Sequence, residues 1–131
     1  MSEENVEVVE RLIAALNAGD VDQYLALCTP DVEIVPPTAS IEGVGRGEEG
    51  LRAYFSGLSE AWPGYRIAVE QLQVLGGDRV LALTRAAAVS PGGFHADQPM
   101  ASLYDFAGAK IRRIEVFLDR AEALEAVGLR E

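Results

Sequence analysis

Few side chains in this sequence can move a proton or orient a ligand, and their spacing limits what each could do. His95, the only histidine, stands two residues before Asp97 in a strand-like run, so both lie on one strand face. They could form an acid/base pair; a solvated strand start after Gly93 is the simpler reading. Arg85 is a charge inside the apolar run Val80 to Val89. It points either into a pocket, to hold a carbonyl or carboxylate, or to the outer face of a sheet. Glu115, Phe117 and Asp119 alternate along the last strand and share one face. Asp119 also suits the cap of a helix starting at Arg120. Asp31 and Glu33 pair on a strand face in the same way, with a salt bridge to Arg46 as their plain structural role.

The aromatic side chains Tyr24, Tyr54, Phe55, Trp62, Tyr104 and Phe117 are the candidate lining of an apolar site. Residues at such spacing also serve as ordinary core. Trp62 stands out because its indole N–H needs a polar partner, which a ligand or a loop carbonyl can supply. Gly45-Arg46-Gly47-Glu48-Glu49-Gly50 satisfies the G-x-G-x-x-G dinucleotide pattern. It follows a proline-rich loop instead of a parallel strand, and it puts two glutamates where a pyrophosphate needs positive potential. The match is accidental, and these residues start a helix.

Composition excludes several classes. The chain carries 21 Asp and Glu against 11 Lys and Arg. Its average field repels phosphate backbones and anionic membranes, so nucleic acid is not an expected partner. One cysteine, Cys28, allows no intrachain disulfide, and with one histidine it leaves too few ligands for structural zinc. Met-Ser-Glu-Glu lacks the features of a secretion signal, and no apolar run is long enough to span a membrane. A cytoplasmic protein is expected. At 131 residues, one domain with one core is expected over residues 1–131.

The elements that must position these side chains follow from periodicity. Val6, Val9, Ile13 and Leu16 mark a helix over residues 3–18 with a glycine exit at Gly19. Asp20 and Gln23 resemble a capping box that starts a short second helix reaching Cys28. Val32 to Val35 alternate as a strand until Pro36-Pro37 stops the ladder. Leu51, Tyr54, Phe55, Leu58 and Trp62 give a third helix from Gly47 to Pro63-Gly64. Strands then run from Tyr65 to Leu75, Arg79 to Val89, Phe94 to Phe106 and Lys110 to Leu118, with Arg120 to Val127 as a closing helical turn or two. The order predicts an α+β fold: a strongly curved antiparallel sheet covered by three helices, with a hollow between them.

Leu16-Asn17-Ala18-Gly19-Asp20-Val21-Asp22, Pro30-Asp31-Val32, Gly47 to Phe55 and Glu115 to Asp119 carry a resemblance over nearly the whole chain. They are similar to the SnoaL-like branch of the nuclear transport factor 2-like superfamily. The resemblance implies a cone-shaped sheet with a pocket at its wide end and frequent homodimers through the sheet's outer face. The apolar surplus on Val80 to Val89 and Lys110 to Leu118 is a second argument for a two-fold dimer. Ketosteroid isomerases, which share this fold, use a tyrosine, an aspartate base and a protonated acid where this chain has Leu12, Pro36 and Ser102. That activity is argued against. In the cyclases an aspartate on the last strand is the general acid and base, and Asp119 matches it by position.

Two functions follow. One is a cofactor-independent cyclase, isomerase or dehydratase acting by proton transfer on a small hydrophobic carbonyl compound, with Asp119 as acid/base and Arg85 or His95 as orienter. The other is a non-catalytic ligand-binding or dimerisation module of the same fold. In both readings the partner is a small hydrophobic molecule, and no cofactor or metal is expected.

Overall fold

Residues 2–37, 39–62, 64–76, 78–89 and 95–128 are described by the computed structural model of the chain. Helix α1 (Ser2–Ala18) ends at Gly19, whose φ of 69° is open to glycine and strained for other residues. Gly19 N–H donates to Leu16 O and Asp20 N–H to Ala15 O, the paired exit bonds of a helix closed by a left-handed residue. The Asp20 side chain then accepts from Gln23 N–H and starts α2 (Val21–Ala26). The predicted corner between the first two helices is therefore present, cap included.

Strand β1 (Cys28–Val35) leads through Pro36 and Pro37 to a short α3 (Ala39–Glu42) and a two-residue β2 (Gly45–Arg46). Helix α4 (Gly47–Ala61) follows, then β3 (Arg66–Leu75), β4 (Arg79–Val89), β5 (His95–Ala107), β6 (Lys110–Phe117) and α5 (Arg120–Ala126). Six strands form one curled sheet in the order β2-β1-β6-β5-β4-β3. The run β3 to β6 is the predicted antiparallel meander, but β1 lies parallel to β6. The sheet is thus mixed. The chain reaches β6 only after passing through α4 and the meander, and it arrives in the same direction as β1.

The inner face carries the main core. Val9, Leu12 and Ile13 of α1, Tyr24 of α2 and Leu51 of α4 meet Val32, Ile34, Val80, Ala82, Tyr104, Phe106, Ile111 and Ile114 of the sheet. Each fully buried Leu or Ile there contributes roughly 1.5–3 kcal/mol of burial free energy. The Asn17 side chain, bonded to the Ile67 backbone, ties α1 to the start of β3.

The outer face holds a second, smaller core. Leu81, Ala101 and Leu103 are buried there by Ala123 of α5, with Leu75, Leu83, Phe117, Leu124 and Val127 around them. The apolar surplus that favoured a dimer is in large part covered within the chain by this last helix.

The glycine-rich segment has a structural use. A Cβ on Gly50 would lie 2.8 Å from the carbonyl carbon of Gly45, and one on Gly45 would lie 2.7 Å from Ile34 Cγ2. Gly47 opens α4 at a φ of 64°. The motif lets the start of α4 press against β2 and β1. No described helix is long and apolar enough to cross a membrane.

Candidate functional site

Helix α4 shows its sheet-facing side as two columns. Tyr54, Leu58 and Trp62 form a bulky one at four-residue spacing, and Ala53, Gly57 and Ala61 form a small one beside it. Opposite them, β4 contributes Ala86 and Ala88. Small side chains on both walls leave a cavity of about 520 Å³. Pro36 and Pro37 after β1, Tyr65 before β3, Gln98 and Met100 of β5, and Val116 and Leu118 at the end of β6 complete its wall. Among the described residues, no charged side chain lines it.

Beneath the cavity the hydroxyl-bearing residues gather. Tyr24 and Tyr104 are 3 % and 4 % exposed, and Tyr24 meets Phe55 edge to face at 4.9 Å between ring centres. Ser102 is buried on the inner face of β5, two residues from Tyr104 and on the same side of the strand. Burial is the main cause that pushes the phenols up from their ordinary value: Tyr104 to about 12, with Tyr24, Tyr54 and Tyr65 also raised. The other tyrosines add to the shift at Tyr24, Tyr54 and Tyr104. At neutral pH these hydroxyls stay protonated and can donate to a ligand oxygen. Tyr65 Oη also lies 3.9 Å from Met100 Sδ.

The residues singled out from the sequence divide among four places. Tyr54 and Trp62 line the cavity. Tyr24 and Tyr104 lie below it in the core, and Phe55 packs on Tyr24 and faces a neighbouring hollow. Phe117 is a correction: it packs in the outer-face cluster beneath α5, because a bulge opposite Asp105 and Phe106 shifts the alternation of β6 by one residue. Ile111, Ile114 and Val116 therefore all belong to the inner-face cluster, while Glu115 and Phe117 fall on the other side.

Arg85 and Asp119 also lie away from the cavity. Arg85 alternates with Ala86 and projects from the outer face, where it bonds Glu70 and Asp97, each at 3.1 Å. Asp119 is the N-cap of α5, its carboxylate accepting from Ala121 N–H at 2.8 Å. Arg120 beside it donates to Met100 O at 3.1 Å and Thr84 O at 2.6 Å and pairs with Glu70. The two arginines hold the Glu70 carboxyl below its usual range, chiefly by hydrogen bonding. His95 opens β5 opposite Val89, and its side chain lies outside the described residues. Asp31 and Glu33 border a charged surface groove with Arg46, Arg112 and Arg113, and Glu33 pairs with both Arg46 and Arg113.

Sequence reasoning missed Tyr65, Gln98, Met100 and the small-residue column. The repeat Ala53, Gly57, Ala61 was available as a signal, since small residues at one helical spacing beside large ones leave open space along that side of the helix. Of the three positions that spoke against an isomerase, Leu12 is core, Pro36 is cavity wall and Ser102 is buried beside Tyr104.

A curled mixed sheet with helices inside it and an apolar cavity between is the architecture of the cystatin-like and nuclear transport factor 2-like proteins. The chain belongs to the SnoaL-like domain family, which matches residues 9–114. Its fold is similar to that of TerC, solved with polyporic acid, at a TM-score of 0.81 and 23 % identity, covering 95 % of this chain and 97 % of that one. It is also similar to a putative SnoaL-like polyketide cyclase from Jannaschia sp. CCS1, at a TM-score of 0.78 and 24 % identity over 99 % and 95 % of the two chains. A Mycobacterium tuberculosis protein in complex with estradiol-17beta-hemisuccinate aligns at a TM-score of 0.76 and 19 % identity over 88 % and 94 %. No curated protein matches the sequence.

Proposed function

We propose that this chain is a binding protein for a small, largely apolar molecule carrying a carbonyl or hydroxyl oxygen. One observation carries the reading: a roughly 520 Å³ cavity walled by alanines, glycine, prolines and aromatic rings, with no charged lining group among the described residues. An unpaired carboxylate or phosphate in such a wall would lose its hydration without a compensating partner. A neutral carbonyl or hydroxyl is compensated by the protonated hydroxyls of Tyr54 and Tyr65 or by the Gln98 amide. The ligands named for TerC and for the mycobacterial protein, polyporic acid and estradiol-17beta-hemisuccinate, support use of this fold for small molecules.

Proton-transfer chemistry of the cyclase, isomerase or dehydratase kind is the second reading. The protonated hydroxyls of Tyr54 and Tyr65 favour it, because a neutral phenol can donate a hydrogen bond to a ligand carbonyl and polarise it. It also requires a base at the cavity, and Asp119 is engaged as a helix cap instead. Binding without catalysis is therefore the better supported reading.

The test uses Trp62, the only tryptophan, as reporter at the cavity wall. Titration with neutral aromatic ketones is expected to change its fluorescence saturably at one site per chain. The absence of saturable binding by any of them, together with tight binding of their carboxylate analogues, would overturn the reading. Turnover of a bound ketone to a new product would move the assignment to the second reading.

A further inference from the structure

A second hollow lies against the same helix. It measures about 240 Å³ and is bounded by Leu16, Asn17, Ala18 and Gly19 at the end of α1, by Phe55 and Ser59 of α4, and by Gly64. Leu58, Trp62 and Tyr65 border both this hollow and the main cavity. The two spaces are therefore neighbours across shared side chains.

Their chemistry differs. The wall of the second hollow includes the C-terminal turn of a 17-residue helix, which carries the negative end of its dipole. Of the last four carbonyls of α1, Leu16 O accepts from Gly19 N–H and Ala15 O from Asp20 N–H. The described residues give the carbonyls of Asn17 and Ala18 no hydrogen-bond partner. The last turn has no basic residue to balance them. The Asn17 side chain is held in place by Ile67, to whose O its Nδ2 donates and from whose N–H its Oδ1 accepts.

The other walls favour the same charge. Phe55, Trp62 and Tyr65 contribute aromatic rings, whose faces attract cations. No basic side chain lines the hollow among the described residues, and the whole chain carries a formal charge of −10. A helix C-terminus, aromatic surfaces and an acidic field each disfavour an anion and favour a hydrogen-bond-donating cation.

We propose that this second hollow takes the protonated amine of a ligand whose apolar body occupies the main cavity, so that the site selects amphiphilic amines. The inference rests on the pocket reading above and narrows its ligand class. Trp62 and Tyr65 are then the residues that set the distance between the apolar body and the amine.

Calorimetric titration of the intact chain with three acetylnaphthalene derivatives tests it. They share one short alkyl tail that ends in a methyl, an ammonium or a carboxylate group. The ammonium compound is expected to bind about 10-fold tighter than the methyl compound, the size of one cation–π contact or helix-end interaction. The carboxylate compound is expected to bind weakest. Ser59→Arg, which adds a cation at an exposed helix position that borders only the second hollow, is expected to abolish the ammonium preference and to keep binding of the methyl compound. Equal affinity for ammonium and methyl, a carboxylate that binds as well as the ammonium, or a preference that survives in the variant would each overturn the proposal. If the methyl compound itself fails to bind, the pocket reading falls and takes this one with it. Binding of the methyl compound with no ammonium preference removes this proposal alone.

Discussion

Asn17 and Ile67, fifty positions apart, are joined by two hydrogen bonds: Asn17 Nδ2 donates to Ile67 O at 2.8 Å, and Ile67 N–H donates to Asn17 Oδ1 at 2.7 Å. The side chain acts as one more strand residue, completing the edge of β3 from the end of α1. Asn17→Ala leaves two part-buried backbone groups without partners and is expected to cost about 2 kcal/mol. Urea unfolding measures it as a lower midpoint at unchanged slope. A loss below about 0.5 kcal/mol would mean that water replaces the amide fully.

At the start of α4, backbone meets backbone. Gly50→Ala would place a carbon 2.8 Å from Gly45, and neither atom belongs to a side chain that can swing away. A destabilisation of about 1–3 kcal/mol is expected from overpacking. Gly57→Ala is the matched control: it lies in the same helix with nothing within 4 Å of the new carbon, and it should stabilise by roughly 0.5–1 kcal/mol. Thermal melts of both variants should shift in opposite directions.

The cavity exists because small residues face each other, so enlarging one should close it. Ala86→Leu puts a branched side chain into the space between β4 and α4. Affinity for any ligand of the main cavity is expected to fall by about 10-fold or more, while the melting temperature holds or rises. A collapse in stability with binding retained would contradict the assigned cavity.

Alkali should unfold the protein through its tyrosines. In the unfolded chain a phenol ionises near 10, whereas burial holds Tyr104 protonated to about 12. Between those values the unfolded state binds fewer protons than the native one, so stability is complete below pH 10 and declines as pH rises toward 12. Tyr104 alone accounts for a loss on the order of 3 kcal/mol over that window, and Tyr24 and Tyr54 act in the same direction. Phenolate absorbance should therefore rise together with the loss of helical circular dichroism. Gradual ionisation with the fold intact would sink this expectation.

Cys28 is protected by the same burial, its thiol pushed up to about 12 and its Sγ directed to Tyr24 O at 3.3 Å. An aromatic disulfide reagent at neutral pH should label it only as fast as the chain opens. Immediate labelling of the native protein would show the α2 corner to be open.

How far the sequence could be read depended on the range of each interaction. The Gly19-Asp20 corner was legible because its bonds are local, Asp20 to Gln23 and Gly19 to Leu16. Tyr54 and Trp62 were legible because Tyr54, Leu58 and Trp62 follow four-residue steps, each only about 40° past a full helical turn. The parallel pairing of β1 with β6 was not, since alternation tells which residues share a face and says nothing about which strand lies alongside. Phe117 and Asp119 show the further difficulty that β6 does not alternate regularly, since Ile111, Ile114 and Val116 share one face across a register shift. The bulge that decides which side faces the cavity depends on the partner strand β5. Arg85 left two faces open for the same reason, and its partners Glu70 and Asp97 belong to two other strands.

The parallel contact between β1 and β6 also sets a timetable for the newborn chain. Glu33 meets Arg113 across eighty residues, so β1 leaves the ribosome long before its central neighbour exists. At about 5–20 residues per second the wait is roughly 4 to 16 seconds. Throughout that interval Val32, Ile34 and Val35 have only the two-residue β2 as a strand partner. Closure of the sheet, and with it the cavity, is a late step of biogenesis. Agents that slow translation between α4 and β6 should prolong a state vulnerable to chaperone capture and to proteases.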